Sequence, residues 1–116
     1  MAQILVVDDD ETILDLLKEA LPALGYDADF ATNGEDAIEM IKNPAYNLIL
    51  SDIRMPEING IDVARAAYHN RPNMPILFMS GNPNTIVEER SFLAKPFTIS
   101  ELDMKIEFML NPPDDE

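Results

Sequence analysis

The sequence predicts an α/β fold in which helices cover both faces of a five-stranded parallel sheet. Two observations support this prediction. Short apolar runs alternate along the chain with segments of helical periodicity, which is typical of strand–helix–strand units joined by right-handed crossovers. Three of the runs are apolar throughout, as central strands are, whereas one alternates apolar and acidic residues, as a half-exposed edge strand does. These patterns favour the doubly wound strand order 2-1-3-4-5.

The first strand and the first helix follow from the start of the chain. Residues 4–7 form a continuous apolar run, which indicates a buried strand. Apolar residues then recur with a helical period over residues 11–24, and Gly25 follows as a stop signal. Because Pro22 lacks a backbone donor, we expect it to kink this helix or to end it one turn early.

The rest of the chain continues the same alternation. Further strands are predicted at residues 26–30, 48–51, 75–79 and 92–94, and further helices at residues 35–42, 61–69 and 100–110. Turn signals such as Asn33-Gly34 and Asn43-Pro44 separate the elements. The whole pattern is flavodoxin-like, and in such sheets ligands bind beyond the carboxyl ends of the strands.

The crossover before the last strand is short. A parallel crossover with its helix takes at least about 10–12 residues, and residues 81–91 barely reach that length. Residues 85–88 resemble a capping box, but only about one helical turn can follow it. We therefore predict that the fourth helix is shortened or missing. The alternative is an uninterrupted helix over residues 83–90.

Composition limits the classes of function. The length of 116 residues suggests one domain, here residues 1–110, followed by an acidic tail or linker start at residues 111–116. A net charge of −14 argues against direct nucleic-acid binding, and the absence of cysteine excludes disulfides and thiolate metal sites. We also expect no membrane span, no secretory signal and a cytoplasmic location.

Polar side chains follow the predicted strands where each strand ends, namely Asp8, Asp9, Asp52, Ser80 and Lys95. Carboxylates that are close together in an open cleft favour a bound cation, and Mg²⁺ prefers oxygen ligands. On this interpretation Asp9 and Asp52 bind Mg²⁺ directly and Asp8 acts through water. The alternative is that the acidic run at residues 8–10 only caps the following helix.

The same cluster suits phosphoryl transfer. The carboxylate of Asp52 can attack a phosphoryl donor and form an aspartyl phosphate. The transferred group needs its charge offset, which Mg²⁺ and Lys95 could do on two sides while Ser80 donates a hydrogen bond. Taken singly, each residue could be an ordinary strand-end or surface group. The Lys95-Pro96 bond is the expected place for a cis peptide.

The chain resembles the CheY-like receiver domains of two-component response regulators over almost its whole length. The segments that carry the resemblance are residues 4–10, 52–60, 78–81 and 92–97. The resemblance implies that Asp52 accepts a phosphoryl group from a histidine kinase or a histidine phosphotransfer protein. It also implies that Asp9, Asp52 and the backbone carbonyl of Arg54 hold Mg²⁺, with Asp8 in the outer shell.

The resemblance further implies a two-state switch. Ser80 and Lys95 would contact the phosphoryl oxygens, and Phe92 matches the switch aromatic that turns inward in the family. Such a domain catalyses its own phosphorylation and dephosphorylation and is not an enzyme acting on a separate substrate. The resemblance does not identify the downstream partner, and it is compatible with a homodimer. Two alternatives are a pseudo-receiver that binds partners constitutively and a Mg²⁺-dependent phosphohydrolase with an aspartyl intermediate.

Overall fold

The computed structural model describes residues 2–82 and 91–112. The strands within these ranges pair in parallel in one sheet of order β2-β1-β3-β4-β5, which confirms the predicted fold class and strand order. The strands are β1 (Gln3–Val7), β2 (Asp27–Ala31), β3 (Leu48–Asp52), β4 (Ile76–Ser80) and β5 (Phe92–Ala94). The helices among the described residues are α1 (Glu11–Ala23), α2 (Gly34–Met40), α3 (Gly60–Asn70) and α4 (Ile99–Leu110).

Two predictions about chain segments concern residues that the structure does not describe. The shortened or missing helix between β4 and β5 would lie within residues 83–90, outside the described residues. Residues 113–116 of the predicted tail lie outside them as well. Within the described ranges, no helix combines the length and the apolar character needed to cross a membrane.

The sheet separates two apolar layers. In β1, Leu5 and Val7 pack in the layer beneath α2 and α3, whereas Ile4 and Val6 pack in the layer beneath α1 and α4. Strands β1, β3 and β4 are buried almost throughout, while β2 alternates exposed and partly buried residues until Ala31. This is the burial expected when side chains point alternately to two covered faces and one strand lies at the edge.

Helix α1 continues through Pro22 to Ala23, so the expectation that it would end a turn early is wrong. Pro22 lies next to the last residue of the helix, where its missing N–H removes a single hydrogen bond. The helix then closes in a Schellman motif, in which the N–H groups of Gly25 and Tyr26 donate to the carbonyls of Pro22 and Leu21, each at 3.0 Å. Gly25 has a φ of 95°, which suits glycine at this position.

Helix α4 begins with a capping box. Thr98 Oγ1 accepts the N–H of Glu101 at 3.0 Å, and Glu101 Oε1 accepts the N–H of Thr98 at 2.8 Å. We expect Thr98→Ala to lower the free energy of unfolding by about 1 kcal/mol, because it leaves a helix donor without its partner. Urea unfolding followed by far-ultraviolet circular dichroism measures this loss. Ser100→Ala, at an exposed position in the same turn, is the control and should change stability by much less.

Candidate functional site

The carboxyl ends of the strands bring the predicted site residues together. Asp8 follows β1 directly and Asp52 is the last residue of β3. The two strands pair with Val7 opposite Ser51, so Asp8 and Asp52 are neighbours at the carboxyl ends of these strands. Lys95 follows β5, which is separated from β3 by β4, and its side chain reaches Asp8 and Asp52.

Three carboxylates form a compact cluster at this edge. One oxygen from each of Asp8, Asp9 and Asp52 lies within 4.8 Å of the others. Asp8 is fully buried and Asp52 is only 8% exposed, whereas Asp9 is open to solvent. Carboxylate oxygens at this spacing are the donor set that hard divalent cations prefer, so the residues present fit such an ion.

The hydrogen bonds of Asp8 distinguish it from the other two carboxylates. Its Oδ1 accepts the N–H of Asp10 at 2.9 Å, and its Oδ2 accepts from Lys95 Nζ at 2.8 Å. Both oxygens therefore already have a protein donor, which makes Asp9 and Asp52 the freer ligands. Asp10 caps α1 by accepting the N–H of Thr12, so the capping role considered for this acidic run is also present.

Lys95 bridges the two buried carboxylates. Its Nζ lies 2.8 Å from Asp8 Oδ2 and 3.5 Å from Asp52 Oδ1. Its backbone N–H donates to the carbonyl of Ser80 at 2.9 Å, and the Lys95-Pro96 peptide bond is cis, as predicted. Burial lowers the pKa of Lys95, but the hydrogen bond and charge of Asp8, together with Asp52, outweigh burial and raise it. The ammonium is therefore charged at neutral pH.

The pKa of Asp52 is raised to about 6, first by burial and then by the negative charge of Asp8. Lys95 opposes this shift but does not cancel it. Because this pKa lies below 7, most Asp52 side chains are ionised at neutral pH. The carboxylate is thus available as a nucleophile, but it is held in a position that penalises its charge.

The other predicted site residues occupy surrounding positions. Ser80 ends β4, is buried, and its Oγ accepts the N–H of Asn82 at 2.9 Å. Phe92 begins β5 opposite Phe78 and is half-buried. Arg54 is exposed in the loop after β3 and lines a shallow surface depression with four neighbouring loop residues.

The pairing of Lys95 with Asp8 was not predicted from the sequence. The predicted roles put Lys95 against the transferred phosphoryl group and Asp8 behind a water molecule, and these roles remain predictions. In the structure Asp8 has the shorter contact with the ammonium, 2.8 Å against 3.5 Å for Asp52. The only available sequence signal was that both residues follow strand ends, and this does not determine which carboxylate lies nearer the ammonium.

Comparison with known proteins identifies the family. Residues 4–107 match the family model of the response regulator receiver domain. The chain belongs to the response regulator receiver family. Receiver domains are signalling domains of two-component systems rather than classical enzymes, and they interact with histidine kinases and with output domains. The resemblance inferred from the sequence is thereby confirmed.

Relatives of this receiver domain include single domains and parts of longer proteins. The chain is 35% identical to the response regulator receiver protein CpdR of Brucella abortus, covering 95% of this chain and 98% of that protein. It spans about half of several other curated relatives, for example 46% and 47% of two transcriptional regulatory proteins, and 24% of the LuxO regulatory proteins of three Vibrio species.

Solved structures of receiver domains have the same fold. A response regulator receiver domain from Clostridium thermocellum superposes with a TM-score of 0.85 at 26% identity, covering 96% of this chain and 95% of that one. The receiver domain of sensor histidine kinase PA1611 from Pseudomonas aeruginosa superposes with a TM-score of 0.81 at 25% identity. This match covers 94% of this chain and 97% of that one, whose structure has a magnesium ion coordinated in the active-site cleft.

Proposed function

We propose that this receiver domain accepts a phosphoryl group on Asp52 in a Mg²⁺-dependent reaction and changes its partner binding as a result. The observation that carries the proposal is the contact of one ammonium group, that of Lys95, with two buried carboxylates at the carboxyl edge of the sheet. The solvent-exposed Asp9 lies within the same cluster. This arrangement gives a nucleophilic oxygen, a fixed cation and an acidic cation site in one place.

In the proposed reaction an Asp52 carboxylate oxygen attacks phosphorus, and the bond from phosphorus to the histidine nitrogen of the donor breaks. Asp9, Asp52 and the Arg54 carbonyl would hold Mg²⁺, with Asp8 behind a water molecule. The bound ion would offset charge on the phosphoryl oxygens. Lys95 is held by Asp8 so that its ammonium stays beside the Asp52 carboxylate, 3.5 Å from Oδ1. Its charge acts with little reorganisation because it is already in place.

The new phosphoryl charge would favour one of two conformations. We propose that Ser80 donates its hydroxyl to a phosphoryl oxygen, exchanging its local contact with the Asn82 N–H. The half-buried Phe92 is the proposed aromatic switch on β5. Populations shift only as far as the phosphoryl group interacts differently with the two conformations.

The proposed partners follow from the family and the charge. A histidine kinase or a histidine phosphotransfer protein supplies the phosphoryl group, and a protein of unknown identity reads the switched state. A net charge of −14 disfavours direct contact with nucleic acid. The cytoplasmic location and a possible homodimer remain predictions. The pairing of Lys95 with both carboxylates gives no support to the pseudo-receiver alternative.

Incubation with acetyl phosphate and Mg²⁺ tests the proposal directly. The wild type should gain about 80 Da, the mass of one phosphoryl group, when measured by intact mass spectrometry. Asp52→Asn should show no gain. The control Asp15→Asn removes an exposed carboxylate on α1 and should behave like the wild type. Phosphorylation of Asp52→Asn, or no gain in the wild type, would overturn the assignment.

A further inference from the structure

The loop between β3 and α3, residues 53–59, connects Asp52 to the next helix and carries Arg54. Its first residue, Ile53, donates its N–H to the Met79 carbonyl at 3.1 Å. The Ile53 carbonyl accepts the N–H of Gly60 at 2.9 Å. These hydrogen bonds attach the start of the loop to β4 and to the first residue of α3, and neither of them involves residues 54–59.

The middle of this loop is not in a locally favoured conformation. Glu57 has a φ of 66°, in the region that disfavours residues with a Cβ. The Ile58 N–H donates to the Pro56 carbonyl at 2.8 Å, closing a three-residue turn around Glu57. A non-glycine residue persists in such a conformation only when its surroundings hold it there.

The amino terminus of α2 is the neighbour that contacts this turn. A Cβ placed on Gly34 would lie 2.5 Å from Ile58 Cγ2 and 2.6 Å from the Ile58 carbonyl oxygen. Real Cβ atoms essentially never approach other atoms closer than 3.0 Å. The backbone of α2 can therefore rest against Ile58 only because residue 34 has no side chain.

The segment that carries Gly34 is also fixed to the acidic end of the site. The Asp8 N–H donates to the carbonyl of Ala31, the last residue of β2, at 3.2 Å. Asn33 caps α2 by accepting the N–H of Asp36 at 2.7 Å. Residues 31–34 thus connect the backbone of Asp8 on one side with the loop of residues 53–59 on the other.

We propose that Gly34 is a positioning residue for the Mg²⁺ site. By resting against Ile58 it holds the loop of residues 53–59, and with it the Arg54 backbone, at a fixed distance from Asp8 and Asp9. The inference rests on the proposed function, because it concerns the same cation site. A side chain at position 34 displaces the loop and separates the Arg54 carbonyl from the carboxylates that follow β1.

The test compares Mg²⁺ binding of Gly34→Ala with that of Gly25→Ala, measured by isothermal titration calorimetry with MgCl₂ alone. Gly25→Ala also strains the backbone, since its φ is 95°, but a Cβ there meets no atom within 4 Å. Gly34→Ala should bind Mg²⁺ about 10-fold more weakly than the wild type, the size of effect seen when ligand-supporting groups are changed. Gly25→Ala should lose stability and keep the wild-type affinity.

A second pair of variants applies if Gly34→Ala does not fold. Ile58→Ala loosens the same contact from the loop side, and Ile61→Ala is its control, because both side chains are partly buried against the same apolar layer. Ile58→Ala should weaken Mg²⁺ binding and shift the amide resonances of residues 53–59, whereas Ile61→Ala should leave the affinity unchanged.

The outcomes separate this inference from the proposed function. If the wild type neither binds Mg²⁺ nor becomes phosphorylated on Asp52, the proposed function and this inference both fail. If the wild type does both, but Gly34→Ala and Ile58→Ala bind Mg²⁺ as tightly as Gly25→Ala and Ile61→Ala, only the positioning role of Gly34 is overturned.

Discussion

Asp52→Asn is expected to stabilise the unphosphorylated protein by about 1–3 kcal/mol at pH 7 in the absence of divalent cations. Burial and the charge of Asp8 raise the pKa of Asp52 to about 6 from its ordinary value of 3.8. Each unit of such a shift corresponds to about 1.4 kcal/mol, which sets the upper end of the range. The neutral asparagine amide avoids the free-energy cost of burying a charged carboxylate beside Asp8. The ionised Asp52 side chain therefore destabilises the fold, although it is the proposed phosphoryl acceptor.

The sign of the effect gives it a characteristic pH dependence. Since the pKa of Asp52 is higher in the folded state, its protonated form contributes stability below about pH 4, and this contribution is lost as the pH rises through about 6. The difference in stability between Asp52→Asn and the wild type should therefore be near zero at pH 4 and grow to its full size above pH 6.

Urea unfolding in EDTA, followed by circular dichroism because the chain has no tryptophan, measures this difference. The difference between the two variants isolates the contribution of Asp52. Asp15→Asn, at an exposed position, should show no such pH-dependent gain. Saturating Mg²⁺ should reverse the order, because a ligand bound only by the folded wild type adds stability. A pH-independent difference would contradict the burial of a charged Asp52.

The fold could be predicted from the sequence because the physical causes are local. Short apolar runs such as the one around Ile49, bounded by turn signals, indicate strands covered on both faces. The alternation at Asp27 and Asp29 indicates an edge strand. Boundaries were less well determined. Asp52 is the last residue of β3 and Ser80 is the last residue of β4, whereas the predicted strands ended one residue earlier. Their backbone pairing depends on neighbouring strands, which the local pattern does not contain.

The site was predictable as a set of residues but not as a set of contacts. Parallel strands bring their carboxyl ends to one edge, so Asp8, Asp52 and Lys95 had to be near one another. Which carboxylate pairs with the ammonium depends on side-chain conformation and strand position. The contact between Gly34 and Ile58 joins the amino terminus of α2 to the loop of residues 53–59. No spacing in the sequence indicates this contact, because it depends on how the elements pack.

Lys95→Met is expected to lower the free energy of unfolding by about 3–5 kcal/mol in the absence of divalent cations. Methionine keeps most of the length of the lysine side chain but removes its charge. Asp8 is fully buried and receives its closest cationic contact from Lys95 at 2.8 Å. Removing one partner of a buried ion pair leaves the other charge without compensation, which costs far more than the pair contributes as a whole.

The surface pair of Lys42 and Glu39 provides the matched control. Its charged atoms are 3.2 Å apart, but the side chains are 65% and 74% exposed. Lys42→Met should therefore cost no more than about 0.5 kcal/mol, since water and salt screen such pairs. Urea unfolding in EDTA measures the free energy of unfolding of both variants, each of which has lost one positive charge. Equal losses in the two variants would show that Asp8 does not depend on Lys95.

A double-mutant cycle with Asp8→Asn determines how much of the loss belongs to the pair. Once Asp8 is neutral, Lys95→Met removes an ammonium whose remaining contact is Asp52 at 3.5 Å, so its cost should fall sharply. Lys95→Met alone should also slow phosphorylation by acetyl phosphate by about 100-fold, the size of effect of losing one preorganised charge-stabilising group. The phosphorylation rate of the double variant is compared with that of Asp8→Asn alone, because Asp8 belongs to the proposed Mg²⁺ site. If the double variant regained stability but was still phosphorylated more slowly than Asp8→Asn alone, Lys95 would have two separable roles: holding Asp8 in the fold and offsetting charge on the group transferred to Asp52.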